Sequence, residues 1–541
     1  MKRTALRIPL LYLGGLLAAL PVSFTQVSFL ACFSFVPMLL MLLPDLLSPM
    51  LPHRPRAYYG YGMAFCMGYF MMTFHWFTSL YPLDFVTGMT PGVAILVILA
   101  ACIGLPLLQS LGFSFLFYLL ARLSRTRLVQ RLPLLLPLLF ACGWVTFAYT
   151  QTLTWAGVPW GAQVALSQHQ NLLMVSSASL FGSYFVTFVL MAINAFLACA
   201  AIAHRKNEKR TERIFALVAL CIFLSNLTLG AIIHYLPQKT NGTVKVAALQ
   251  GNISSAEKWS GQIDMLSVYR HLAYDAAKEG AQIMVWPETA LPYNLAGDGY
   301  ALAVVKDIAK RTNALQIIGS YYYETDEAGA QQRYNALYTV SPSGEVGETL
   351  YRKQHPVPFG EYVPMERLIR TLLPFLADLD MLKDGSTTVP GTSPALFETE
   401  FGSLGGLICF DTIYESLARK SVATGAELLV IGTNDSWFFD SAAVYQHNGQ
   451  AVLRAIENGR AVVRAANTGI SSIITGKGEI IDFIPPLIDG QITAEVSLSS
   501  KKTLYTCIGD TFVVLAAIAF HAPFILSLIR DIQSKYKKAA V

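Results

Sequence analysis

Runs of apolar residues crowd both ends of this chain and are missing from its middle, and that segregation constrains the fold more than any other feature. A helix that crosses a bilayer needs about 20 predominantly apolar residues. Eight stretches meet that requirement as candidates, at about 8–24, 27–44, 59–80, 92–121, 132–150, 170–203, 213–236 and 507–529. Of the 541 residues, 54% are hydrophobic and only 14% charged, too apolar for an ordinary soluble protein and too long for one domain. The expected organisation is a seven-span region over 1–240, a soluble domain over 241–502, and an eighth span with a basic tail over 503–541. The first two runs read as separate spans rather than one signal peptide. No small-residue cleavage site followed by polar sequence lies between them, and a second apolar run follows at once.

The basic residues follow the same division. Lys2 and Arg3, then Arg54 and Arg56, then the stretches RLSRTRLVQR (122–131) and HRKNEKRTER (204–213), then Arg530, Lys535, Lys537 and Lys538 occupy alternate connections. The intervening connections near Phe24, Tyr81–Pro91 and Gln151–Gln168 carry no Lys or Arg. Positive loops stay cytoplasmic, so both termini are expected in the cytoplasm and the large domain outside it. The net charge of +5 is accounted for by anchoring and orientation, which argues against a nucleic-acid partner.

The middle reads as alternating strands and helices, hence an α/β layered fold. VKVAALQ (244–250), AQIMVWPE ending at Glu288, ALQIIGSYYY, SLGGLICF ending near Cys409, ELLVIGTND, AVVRAAN and SSIIT are expected strands. YNALYTVSP and GETLYRK form an expected hairpin, and Gln262–Lys278, Tyr300–Thr312, Ser416–Thr424 and Ala443–Glu457 are expected helices.

Seven of the eight cysteines lie in or at the edge of apolar spans, where a thiol packs as a small apolar group. Cys409 alone lies in the soluble domain. An unpaired thiol outside the cytoplasm is a liability unless it is used. Glu288 ends an apolar strand, where burial would tune a carboxylate toward general-base work. Lys353 offers a fixed cation. A nucleophilic thiol, a carboxylate base and an ammonium that steadies developing negative charge make an acyl-transfer set. No CxxC pair, HExxH or GxxxxGK[ST] occurs, so neither a metal nor another cofactor is expected.

Glu288 in VWPETALP, Lys353 with FGEYVP after it, and Cys409 in GGLICFD resemble the ordered Glu-Lys-Cys signatures of the nitrilase superfamily. With spans on both sides, the whole chain resembles the bacterial apolipoprotein N-acyltransferase family. LQGNIS (249–254) followed by Trp259, and TNDSWF (433–438), add to the match. The resemblance implies an αββα sandwich beside a membrane α-helical bundle in the bacterial inner membrane, with the catalytic domain on the periplasmic side. It implies a phospholipid acyl donor, a thioester on Cys409, and a diacylglyceryl apolipoprotein acceptor. It also implies a second active-site carboxylate at Glu361, able to pair with Lys353, and an acyl-chain contact at Trp259. The backbone N–H of Phe410 is an expected oxyanion donor. Two positions depart from the pattern: Phe410 stands where Tyr is frequent, and Asp411 where these acyltransferases commonly have Glu. Asp411 is expected either to hold nearby loops or to position Lys353.

Two rival readings remain open on sequence. A membrane-anchored amidase would pass the acyl group to water. A multispan transporter or scaffold would carry a non-catalytic outer domain, although spans nearly free of charged residues count against solute coupling.

Overall fold

The computed structural model describes residues 2–48, 53–83, 89–153, 159–260, 263–367, 371 and 387–539. The chain divides into two compact units. Met1–His75, Leu99–Tyr235 and Ile508–Val541 form one, and Trp76–Ile98 with Leu236–Cys507 form the other.

The first unit is helical. Among the described residues of the whole chain, six helical segments are long and apolar enough to cross a membrane: Leu6–Ser23, Thr25–Leu46, Pro91–Leu123, Ser183–Arg205, Lys209–Tyr235 and Thr511–Arg530. Helices also stand at the two other expected positions, Pro55–Thr73 and Leu135–Thr150, the latter only 16 residues long. Pro55–Thr73 is diluted by Gly and Tyr because its backbone is pressed against a neighbour. A Cβ on Gly68 would lie 2.1 Å from the Tyr12 carbonyl oxygen, and one on Gly15 would lie 2.0 Å from that of Phe65. Small residues permit such close helix crossings in membranes.

The run expected at 170–203 is interrupted. Short helices Leu172–Val175 and Ala178–Phe181 stop at Gly182, whose φ of 80° no helix accepts, and Ser183–Arg205 starts afresh. Breaks of this kind leave backbone groups that hydrocarbon cannot satisfy. Asn194 repairs one at the entry to Val36–Leu46: its Oδ1 accepts from the Phe35 N–H at 2.9 Å and its Nδ2 donates to the Ala31 carbonyl at 2.7 Å.

The second unit carries thirteen strands among the described residues: β1 (Gly242–Gln250), β2 (Ile283–Val285), β3 (Leu291–Asn294), β4 (Leu315–Thr325), β5 (Gln331–Val340), β6 (Tyr351–Arg352), β7 (Leu396–Thr399), β8 (Gly402–Ile408), β9 (Leu428–Thr433), β10 (Val462–Ala466), β11 (Ser471–Ile474), β12 (Ile480–Ile484) and β13 (Gly490–Leu498). One sheet runs β13-β1-β2-β4-β5-β6, with β3 also paired to β4; the other runs β12-β11-β10-β9-β8-β7. Each has parallel strands at its centre, β1-β2-β4 and β8-β9-β10, and antiparallel pairs toward its edges. The sheets pack face to face, β1 on β10 and β5 on β8. Their central strands are accordingly buried on both faces and read as continuous apolar runs.

Helices cover the outer faces. Met265–Lys278 and Gly299–Thr312 lie on the first sheet, and Glu415–Thr424 and Ala442–Asn458 on the second. The four layers are the αββα sandwich. Met265–Lys278 presents Leu266, Tyr269, Ala273 and Ala276 inward, a helical repeat legible in sequence, and Tyr269 stacks on Trp286 with ring centroids 4.9 Å apart.

Candidate active site

Catalytic groups in layered α/β folds gather beyond the carboxyl ends of parallel strands. Here Glu288 lies three residues past β2, Cys409 directly after β8, and Asn434 directly after β9. Lys353 follows β6, and Asn335 sits on β5. The strand expected to run on to Glu288 ends at Val285, because the chain turns at Pro287–Thr289 over β4. A Cβ on Gly319 of β4 would lie 2.1 Å from the Pro287 carbonyl oxygen, so glycine is what lets the turn settle there.

Lys353 is the hub. Its ammonium donates to Glu288 Oε1 at 2.8 Å and pairs with Glu361 Oε2 at 2.6 Å, and its side chain is 1% exposed. Asn335 Nδ2 donates to the same two carboxylates, at 2.6 Å to Glu288 and 3.1 Å to Glu361. Glu288 Oε2 accepts the Asn434 N–H at 2.9 Å, and Glu361 Oε2 accepts the Val357 N–H at 2.8 Å. Burial alone would strip the proton from Lys353. The carboxylates of Glu288 and Glu361 outweigh it and hold the ammonium charged well beyond the usual lysine range.

Cys409 is buried, and the charges of Glu288 and Lys353 both act on its thiol. Burial pushes the thiol well above its usual value; Glu288 adds to this, Lys353 opposes it, Asp435 adds again, and a Thr433 hydrogen bond opposes. Burial thus favours the protonated thiol, and a group so placed would need a nearby base to take its proton before it could act as a nucleophile. Cys409 also holds a φ of 49°, a left-handed backbone unusual for a non-glycine residue. This places it on a sharp turn between β8 and the 3-10 turn Cys409–Ile413.

Asp411 ties loops together. Its Oδ1 accepts the His355 N–H at 2.8 Å, and its Oδ2 accepts the Tyr351 hydroxyl at 2.8 Å and the Gln354 and Ile408 N–H groups at 3.3 Å each. It thus joins the segment after Lys353 to the strand before Cys409. Burial pushes its carboxyl up to about 7, against the charge of Lys353 and these donors. Phe410 is buried, its ring 5.7 Å from that of Tyr414. The Trp259 side chain lies outside the described residues.

Several polar residues around the site were not among the expected site residues. Asp435 lies in the quoted TNDSWF stretch, and its neighbours His447 and Arg464 come from the helix Ala442–Asn458 and β10. Cys409, Asp435 and His447 bring possible metal-ligand atoms within 4.8 Å of one another. However, both ring nitrogens and both carboxylate oxygens are occupied: His447 by Asp435 and the Cys409 carbonyl, Asp435 by His447, Thr433 and Arg464. The set is a hydrogen-bonded network rather than a vacant metal centre.

Lys258, next to Trp259, is also buried and donates to Thr289 Oγ1 at 2.6 Å. Burial lowers its pKa to about 8, with Glu288 opposing. A lysine whose folded pKa lies below its unfolded value destabilises the fold most at pH below about 8, and that penalty fades toward the unfolded value of 10.5. Lys258→Met is therefore expected to stabilise the fold at pH 7 by on the order of 3 kcal/mol, seen as a higher thermal midpoint, and to show less advantage near pH 10. Thermal scans of both proteins across pH 6–10 check this; an equal midpoint at pH 7 would mean the charge is comfortably solvated.

Comparison with known proteins agrees with this geometry. Residues 245–504 match the carbon-nitrogen hydrolase family model, and residues 14–196 match that of the apolipoprotein N-acyltransferase N-terminal domain. The apolipoprotein N-acyltransferase of Geobacter metallireducens is 33% identical over 392 residues, which cover 70% of this chain and 73% of that protein. The one from Pseudomonas syringae pv. tomato is 29% identical over 501 residues, covering 91% of this chain and 92% of the other. A solved nitrilase-superfamily structure from Saccharomyces cerevisiae matches 48% of this chain and 93% of its own at 19% identity, with a TM-score of 0.37. Membrane-type helices and a carbon-nitrogen hydrolase sandwich in one chain, with relatives matched across both parts, place this chain in the apolipoprotein N-acyltransferase family.

Proposed function

We propose that this protein moves an acyl chain from a membrane phospholipid to the α-amine of a diacylglyceryl-cysteine at an apolipoprotein N-terminus, through a thioester on Cys409. The observation that carries the proposal is the buried Cys409 thiol set in the field of Glu288 and of the Lys353 ammonium, which bridges Glu288 and Glu361.

In the first half-reaction Cys409 Sγ attacks the ester carbonyl carbon while Glu288 takes the thiol proton. The carbonyl π electrons move onto oxygen, and the Lys353 charge stabilises that oxyanion. Collapse breaks the ester C–O bond. Glu288 returns the proton to the glycerol oxygen, and a lysophospholipid leaves. In the second half, the acceptor amine attacks the thioester carbonyl. Glu288 receives the amine proton, the C–S bond breaks, and the thiol is restored as the amide forms. Two easier transfers replace one hard one. Glu361 and Asn335 hold Lys353 and Glu288 in register, and Asp411 fixes the loop after Lys353.

Membrane anchoring suits two lipid substrates confined to one leaflet. The alternation of basic loops supports cytoplasmic termini and a periplasmic catalytic domain in a multi-pass inner-membrane protein.

Intact mass spectrometry after incubation with phospholipid tests the first step. The expected product is one acyl adduct, mapped to Cys409, that disappears when a diacylglyceryl-cysteine peptide is added and reappears on the peptide amine. Free fatty acid as the main product in the presence of that peptide would favour the amidase reading. No adduct at all would remove the proposal.

A further inference from the structure

The left-handed backbone of Cys409 needs something to hold it, because such conformations persist in non-glycine residues only where the surroundings impose them. The Asp411 carboxylate fixes the preceding residue by accepting the Ile408 N–H at 3.3 Å. On the other side, His447 Nε2 lies 3.1 Å from the Cys409 carbonyl oxygen. A carbonyl only accepts hydrogen bonds, so this contact requires the proton on Nε2.

We propose that His447 is a positioning residue for the nucleophile: its Nε2–H grips the Cys409 carbonyl and holds the thiol at the angle from which it attacks. This rests on the reading of Cys409 as the nucleophile.

The grip is itself braced. His447 Nδ1 lies 2.9 Å from Asp435 Oδ1, and Asp435 Oδ2 accepts Arg464 at 2.7 Å. Arg464 also donates to the Ile470 carbonyl. Burial works against ionised Asp435, but Arg464 and His447 overcome it and keep the carboxyl below its usual range. Gly469 allows this packing, since a Cβ there would lie 2.3 Å from Asp435 Oδ2. His447, Asp435 and Arg464 are each no more than 1% exposed, so the imidazole has little freedom to swing.

The helix Ala442–Asn458 holds the nucleophile turn at a second point. Arg454, two helical turns after His447 and on the same face, donates to the Thr412 carbonyl at 3.1 Å. Arg454 is itself anchored by Glu457 at 2.7 Å. One buried helix thus grips the turn at Cys409 and at Thr412.

The test uses the full-length protein in detergent with vesicle phospholipid, comparing His447→Phe, which keeps the ring bulk and removes the donor, with His447→Gln, whose amide can donate along the same line. Two readouts are taken: the single-turnover rate of acyl-adduct formation, and the rate at which iodoacetamide alkylates Cys409 in the absence of lipid, mapped by mass spectrometry. The expected result for His447→Phe is an acylation rate lower by about 100-fold, a phospholipid KM changed less than about threefold, and an altered alkylation rate. His447→Gln is expected to recover at least tenfold of the lost rate. Wild-type acylation in His447→Phe, a loss seen in KM rather than rate, or no recovery in a folded His447→Gln would each overturn the proposal. Failure of both variants to fold would also overturn it, in favour of a purely structural histidine. Failure of the nucleophile reading is distinct: wild-type protein would then carry no adduct, while alkylation would still report the grip.

Discussion

Cys409→Ala is expected to abolish acyl-enzyme formation and to lower N-acyl transfer by about 10⁴-fold or more, the scale on which a covalent nucleophile fails when removed. Phospholipid binding should survive, because the side chain removed is small. Cys409→Ser should fall nearly as far. Glu288 must already deprotonate a thiol that burial holds protonated, and a hydroxyl is a much weaker acid. Single-turnover assays with labelled phospholipid, together with lysophospholipid release, give the measurement. Undiminished transfer by either purified variant would remove Cys409 from the mechanism.

The second large effect is expected at Lys353. Lys353→Met removes the only cation within bonding distance of Glu288 and Glu361 among the described residues. The buried Glu288 and half-buried Glu361 carboxylates, which share Asn335, then face each other without a counter-charge. Breaking a buried pair on one side typically costs about 3–5 kcal/mol. Activity should disappear with the oxyanion's cation, and the thermal midpoint should drop. The pH dependence distinguishes this from ordinary packing loss. Protonating one of the two carboxylates relieves their repulsion, so the variant binds a proton more readily folded than unfolded. Its stability should therefore rise as pH falls from 8 toward 5. A midpoint that does not respond to pH over that range would show that the carboxylates are solvated once the lysine is gone.

Neither effect follows from one residue's local sequence. Glu288, Lys353, Cys409 and Glu361 were legible because each sits in a short motif beside Pro, Gly or an apolar strand. The roles of their companions were less so. Asn335 looks like any polar residue in a hairpin strand, and only strand pairing turns its amide toward two carboxylates. Asp411 had two expected tasks, and its bonds to His355, Gln354 and Tyr351 support the first, holding the loop. His447 stands in no short motif of that kind, and only the burial of its helix almost throughout sets its ring against the Cys409 carbonyl. In the membrane unit, hydropathy found the long apolar helices but not the break at Gly182, since apolar composition continues across it.

The amino-acid sequence alone determined the division into apolar ends and a soluble middle, the alternation of strands and helices, and the residue types of the chemistry. These depend on local periodicity and on motifs a few residues long. Tertiary structure decided which groups meet. Glu288 and Lys353 are 65 positions apart and become bonded only when two sheet segments converge, and Cys409 comes under their charges only when the second sheet packs on the first. It also decided the protonation states, because a thiol, an ammonium and a carboxyl shift only once burial and neighbouring charges are set against each other in space.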